Sequence, residues 1–129
     1  MNRSITIALA MFTGAGLGAA VVQCLHAQAR PPAFSITETT VTDQEGYFNE
    51  YVPLAIRSIE EFGGKFIVRG GKTVSITGSP PAPRILIVQF DSLEKAQAWV
   101  SSPAVKAAAP IGLKYQTAPR TYQVEGVSP

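Results

Sequence analysis

The stretch Arg84-Ile85-Leu86-Ile87-Val88-Gln89-Phe90-Asp91-Ser92-Leu93-Glu94 decides the fold. Ile85 to Val88 run apolar without alternation, the pattern of a strand covered on both faces, so this strand belongs at the centre of a sheet. Asp91-Ser92-Leu93-Glu94 then resembles a capping box, with Asp91 accepting from the first turn and Glu94 reaching back. The helix it opens carries Leu93, Ala96, Trp99 and Val100. Ser102 and Pro103 restart the helix as cap and first residue, and Pro110 and Gly112 are expected to end it near Ala109.

Upstream, Lys65 to Arg69 is β-branched or aromatic, Gly70-Gly71 interrupts, and Lys72 to Ile76 alternates again. A Gly-Gly hairpin and a bulge in one long strand both fit; the bulge is preferred, with the turn at Gly78-Ser79-Pro80-Pro81-Ala82-Pro83. Before it, Asp43 caps a helix whose apolar positions Phe48, Tyr51, Val52, Ala55, Ile56, Ile59 and Phe62 recur at three and four. Pro53 predicts a kink or break near Glu50 to Val52, and Gly63-Gly64 a left-handed C-terminal cap. Ala33 to Val41 reads as the first strand, with Phe34, Ile36 and Glu38 on one face by period two. Thr121 to Glu125 reads as the last strand. The order βαββαβ is that of the α+β, ferredoxin-like fold, an antiparallel sheet with both helices on one face. The central strand is apolar on both sides, and about 100 residues leave nothing of the chain's own to cover the second face. A homodimer is therefore expected.

Working outward to the whole chain, 129 residues allow one ordinary domain and an appendage. Charged residues make up 16%, below the roughly 25% of soluble domains, and the apolar share of 46% suits a chain that folds. The net charge of +2 is too balanced for a nucleic-acid surface, so no nucleic-acid partner is expected. Residues 1–29 read as a cleaved signal peptide: Arg3, an uncharged run from Ile5 to Leu25, then Ala27-Gln28-Ala29 in the small-x-small form. Export to the periplasm or medium follows, without stable membrane association after cleavage. The alternative is an anchor across residues 5–25, a run diluted by Gly14, Gly16 and Gly18. Cleavage removes Cys24 and His26, the only cysteine and the only histidine. The remaining domain, residues 30–129, then cannot build a Cys-His or Ser-His-Asp nucleophile, a thiolate or imidazole metal site, or a disulfide. No metal and no cofactor are expected.

Gly63-Gly64-Lys65-Phe66, Val68-Arg69-Gly70-Gly71, Gly78, Arg84 to Phe90, Ala98-Trp99-Val100-Ser101-Ser102-Pro103 and Val124-Glu125-Gly126 together resemble the domain of unknown function 1330 family. The likeness covers Pro32 to Gly126. It implies a dimeric α+β barrel and carries no settled activity. One departure stands at Val105, where the family commonly has an aromatic after Ser-Pro-x.

In such a fold a ligand lies between sheet and helices or inside the barrel, which makes six residues candidates. Arg69 with Gly70-Gly71 offers an anion cradle, against the plainer reading of a bulge with a solvent-facing arginine. Arg84 starts the central strand and either faces the same cleft or is an edge charge. Glu38, beside Phe34 and Ile36, is either a partly buried carboxylate with a raised pKa suited to base catalysis or a structural partner for an arginine. Tyr47 and Tyr51 are aligned at i and i+4; Tyr51 belongs to the apolar stripe, and Tyr47, off it, lines a pocket or its rim. Trp99 packs beneath its helix or stacks on a ligand. Three functions stay open: binding of a small, partly apolar molecule, anionic or neutral; cofactor-independent oxygenation or isomerisation of a phenolic or carbonyl compound; and a solidly packed interaction module.

Overall fold

The computed structural model describes residues 30–129, and Pro31–Val127 form one compact unit. The expected signal peptide and its alternative, a membrane anchor, lie outside the described residues. Strand β1 is Ala33–Val41, β2 Lys65–Arg69, β3 Arg84–Phe90 and β4 Gln116–Glu125. They form one antiparallel sheet in the order β2-β3-β1-β4, the ferredoxin-like arrangement, with β3 in the interior as its apolar run requires. Helix α1 spans Gln44–Gly46, a π-helical turn Tyr47–Tyr51 and Val52–Glu61; α2 is Leu93–Val100 and α3 Pro103–Leu113. Among the described residues no helix is long and apolar enough to cross a membrane.

The core sits between the helices and the sheet, where Ala33, Ile59, Val88, Phe90 and Ala96 are buried and Phe62, Phe66, Leu93 and Trp99 pack against them. Gly64 lets α1 return close to the sheet: a Cβ there would stand 2.7 Å from Ile59 and 2.9 Å from Phe90 and Val88. Gly63 adopts φ +72°, and the amides of Gly63 and Gly64 donate to Glu60 and Ile59, closing α1 with the glycine cap its sequence predicts.

Five local expectations are corrected. The disturbance ahead of Pro53 is a π turn, in which the Val52 amide donates to Tyr47 O. Its extra residue shifts the helical phase upstream, so Tyr47 turns inward at 1% exposure while Phe48, expected on the stripe, is 44% exposed. Helix α2 is capped by Ser92, whose Oγ accepts from the Lys95 amide, and not by Asp91. Helix α3 runs through Pro110 to Leu113; the proline ring and Lys106, whose carbonyl loses its partner, are both exposed to water. Strand β4 begins at Gln116, five residues before the expected start, because an irregularity opposite Glu38–Thr40 and a positive φ at Ala118 break its alternation.

The last correction concerns β2, which stops at Arg69. Its register shift lies between Phe66 and Val68, not at the glycines. Gly70 takes φ +64° and donates its amide to Ile85 O. Beyond it, β3 has no residue left to offer, since it starts at Arg84 after Pro81 and Pro83. Lys72–Ile76 is accordingly not a strand, and Val74 and Ile76 are 78% and 91% exposed.

Candidate functional site

Strand β1 alternates, and its polar side faces the helices. Ala33, Ser35 and Thr39 are buried there, while Phe34, Ile36 and Glu38 take the opposite face. Thr39 Oγ1 donates to Gln116 Oε1 at 2.7 Å, and the Thr37 and Thr121 hydroxyls pair at 3.0 Å. Ser35 is 2% exposed and its Oγ has no partner. Opposite these side chains α1 presents Tyr47, Tyr51, Ala55 and Ile59, and the space between is a cavity of about 250 Å³. Leu86, Val88, Trp99 and Val105 complete much of its apolar wall. Val105 is the residue that departs from the family's aromatic.

Tyr47, Tyr51, Arg69, Arg84 and Trp99 all border this cavity. The rings of Tyr47 and Tyr51 lie 5.3 Å apart. Burial, with a smaller contribution from Tyr47, pushes the Tyr51 hydroxyl above its ordinary pKa, so it remains a neutral donor at neutral pH. Gly112 makes room for that ring: a Cβ there would stand 2.7 Å from it. Arg84 Nε is buried without a partner, and its guanidinium carbon lies 5.5 Å from the Tyr47 ring centre and 5.0 Å from that of Phe48. Gly70 packs against the same guanidinium so closely that a Cβ would collide with Nη1. No carboxylate borders the cavity or pairs with Arg84 among the described residues. Arg84 also borders a second depression with Thr40, Val41, Gln44, Phe48, Gly70 and Pro83.

Arg69 lies at the cavity's edge, exposed, its guanidinium 5.0 Å from the Phe66 ring centre. Of the two amides expected to form a cradle with it, that of Gly70 is committed to Ile85 O. Trp99 is a wall: its indole N–H donates to Ser58 Oγ at 3.0 Å and its ring packs 5.3 Å from Phe90.

Glu38 stands apart on the outer face. Arg120 Nη2 donates to its Oε2 at 2.5 Å and the Ala82 amide to its Oε1 at 3.3 Å. These bonds, the arginine's first, hold its pKa below the ordinary value, the reverse of the raised pKa a general base needs. Because the folded-state pKa is depressed, the stabilisation is present above the ordinary carboxylate range and disappears as pH falls through the folded value. Glu38→Gln is therefore expected to melt below the parent at neutral pH, with the two melting points converging in acid. Thermal unfolding monitored by circular dichroism across that range checks it; a constant offset would contradict it.

Sequence reasoning missed Ser35, Thr37, Gln116 and Thr121, all on the cavity. The signal was available in β1, where hydroxyl side chains occupy one period-two face and Phe34 and Ile36 the other. Among the described residues no cluster of three or more His, Cys, Asp or Glu side chains stands ready for a metal ion.

A comparison with curated proteins found no match. Among solved structures, the chain is similar to a protein of unknown function from Rhodopseudomonas palustris, with a TM-score of 0.61 at 15% identity over 85% of this chain and 94% of that one. It is also similar to a hypothetical Arabidopsis thaliana protein solved in solution, with a TM-score of 0.55 at 18% identity over 78% and 93%. These likenesses carry the fold. The family model described as Domain of unknown function (DUF1330) matches residues 32–127, the whole of the domain built above, and the chain belongs to that family.

Proposed function

We propose that the protein is exported, loses its leader, pairs as a homodimer through its outer sheet face, and binds a small, partly apolar molecule between sheet and helices. The observation that carries binding is the orientation of β1. A solid core would place Phe34 and Ile36 inward; instead the helices face Ser35 and Thr37 across a cavity of about 250 Å³, with Thr39 buried on the same side of the strand. Leaving a buried hydroxyl unpaired costs about 1–3 kcal/mol, which a ligand's polar atom would offset. The volume lies slightly below the roughly 300–1,000 Å³ of sites for drug-sized molecules, so the ligand is smaller.

The same orientation supports the dimer. Phe34, Ile36, Ile85, Ile87, Tyr122 and Val124 share the face away from the helices, with Tyr122 43% and Val124 47% exposed. A contiguous apolar face of this kind marks an interaction surface. Base catalysis by Glu38 has no support in the geometry, since that carboxylate lies on the other side of the sheet.

Native mass spectrometry of the protein purified from its own host tests both parts. The expected spectrum is a dimer whose mass exceeds two chains beginning at Arg30 and falls to theirs on denaturation. An empty monomer would overturn the proposal, and a chain beginning at or before residue 24 would return Cys24 and His26 to the chemistry.

A further inference from the structure

We infer that the cavity takes an elongated carboxylate, its anionic head at Arg84 and a second hydrogen-bonding oxygen, hydroxyl or carbonyl, at Ser35 Oγ. This rests on the cavity being a binding site and specifies the chemistry of its ligand. Ser35 Oγ and Arg84 Nε are both buried side-chain polar atoms without a partner, and both residues border the cavity. They stand at its two ends along the sheet: Ser35 pairs with Val88 and Arg84 with Thr39, four residues further along β1, roughly 13 Å at the strand rise.

Between these ends the polar groups of β1 are already satisfied. Thr37, midway, is bonded to Thr121, and Thr39, opposite Arg84, is bonded to Gln116. The wall there is apolar at Leu86, which stands opposite Thr37. The site thus asks for polar atoms at both ends of a ligand and for none in its middle.

The sign of the head group follows from Arg84. A guanidinium stays charged at any physiological pH, and this one is held between two aromatic rings and the backbone of Gly70 without a carboxylate partner. The planar fork matches a carboxylate, which two parallel N–H bonds satisfy. Tyr51, which also borders the cavity, adds a neutral hydroxyl. A phosphate monoester would bring about two negative charges to a cavity whose other arginine, Arg69, is stacked on Phe66 and exposed.

The test uses the dimeric protein as purified from its host, freed of retained ligand, with three matched series of about six to ten carbons, the length the two strand positions span. These are ω-hydroxyalkanoates, unsubstituted alkanoates and 1-alkanols, titrated by calorimetry or by amide chemical shifts. At equal length the hydroxy acid is expected to bind roughly three- to tenfold tighter than the plain acid. Ser35→Ala should reverse that order, because the ligand hydroxyl is then buried without a partner, and should leave the plain acid's affinity unchanged. Arg84→Met should weaken both acids at least about tenfold and leave the alkanols unaffected. Arg84→Lys keeps the charge while losing the fork, and should fall between. Acids that bind with an order indifferent to Ser35→Ala, or alkanols that match the acids, would overturn the inference. Retained natural ligand with no binding of any probe would also overturn it while leaving the proposed function standing; a dimer that never carries a ligand and binds no probe would overturn both.

Discussion

Ile36→Glu is expected to leave the protein monomeric at concentrations where the parent is dimeric. Ile36 lies in the middle of the outer sheet face, in register with Ile87 on one side and Tyr122 on the other. In a two-fold dimer each copy presents the same patch, so one substitution places a carboxylate into the interface twice. An ionised carboxylate taken out of water without a cation costs several kcal/mol, and every 1.4 kcal/mol is tenfold in affinity. The cationic side chain of Arg120 is on the same face, already bonded to Glu38. Dimer affinity is therefore expected to fall by at least about a thousandfold. The fold itself should survive, because Ile36 is half-buried in the single chain and its neighbours Tyr122 and Val124 are already partly wet. Light scattering coupled to size-exclusion chromatography over a dilution series, with circular dichroism to check folding, gives the answer. Tyr122→Phe, which keeps the apolar surface, should remain a dimer. A folded Ile36→Glu that is still dimeric, or a parent that is monomeric, would remove the outer face as the contact.

The strands and helices were legible because local pattern decides them. The unbroken Ile85-Leu86-Ile87-Val88 run put β3 in the sheet's interior, and Gly63-Gly64 closed α1 where a positive φ was needed. Period two told which residues of β1 share a face, but not which face meets the helices. That choice is tertiary, and here the polar face went in. Glu38 shares the outer face with its apolar period-two neighbours Phe34 and Ile36, while Ser35 and Thr37 share the inner one, and alternation alone treats the two faces alike.

The tyrosines show a second limit. Tyr47 and Phe48 exchange roles because one additional residue in the π turn rotates the first turns of α1, and a strict spacing of three and four has no means to express that shift. Arg84 was legible as a candidate from its place at the start of β3. Its lack of a carboxylate partner was not, since that depends on how α1 and β4 place their glutamates, none of which borders the cavity. Lys72–Ile76 has the alternation of a strand and is none, because a strand also needs a neighbour, and within this chain β3 has ended before it.

The largest loss of stability is expected from Phe90→Ala. Phe90 is 1% exposed at the end of β3, in the same cluster as Ala33, Ile59, Val88 and Ala96, and it supports the Trp99 ring at 5.3 Å. Truncating a buried phenylalanine costs about 3–5 kcal/mol, through lost transfer energy and the cavity left behind. Domains of this size hold about 5–15 kcal/mol in total. At about 4–8 °C per kcal/mol, the melting point should fall by roughly 12–40 °C. Relaxation will not recover much of this, because the adjacent backbone at Gly64 has no side chain to fill the gap, and Trp99 is tied to Ser58 through its indole N–H. Trp99 is the chain's only tryptophan, so its fluorescence reports the change directly. Phe90→Leu keeps most of the volume and should cost far less, of the order of 1 kcal/mol. That milder variant connects the core to the site: Phe90 does not border the cavity, but Trp99 does. A Phe90→Ala protein that melts within a few degrees of the parent would mean that the sheet-to-helix core is not what holds this domain together.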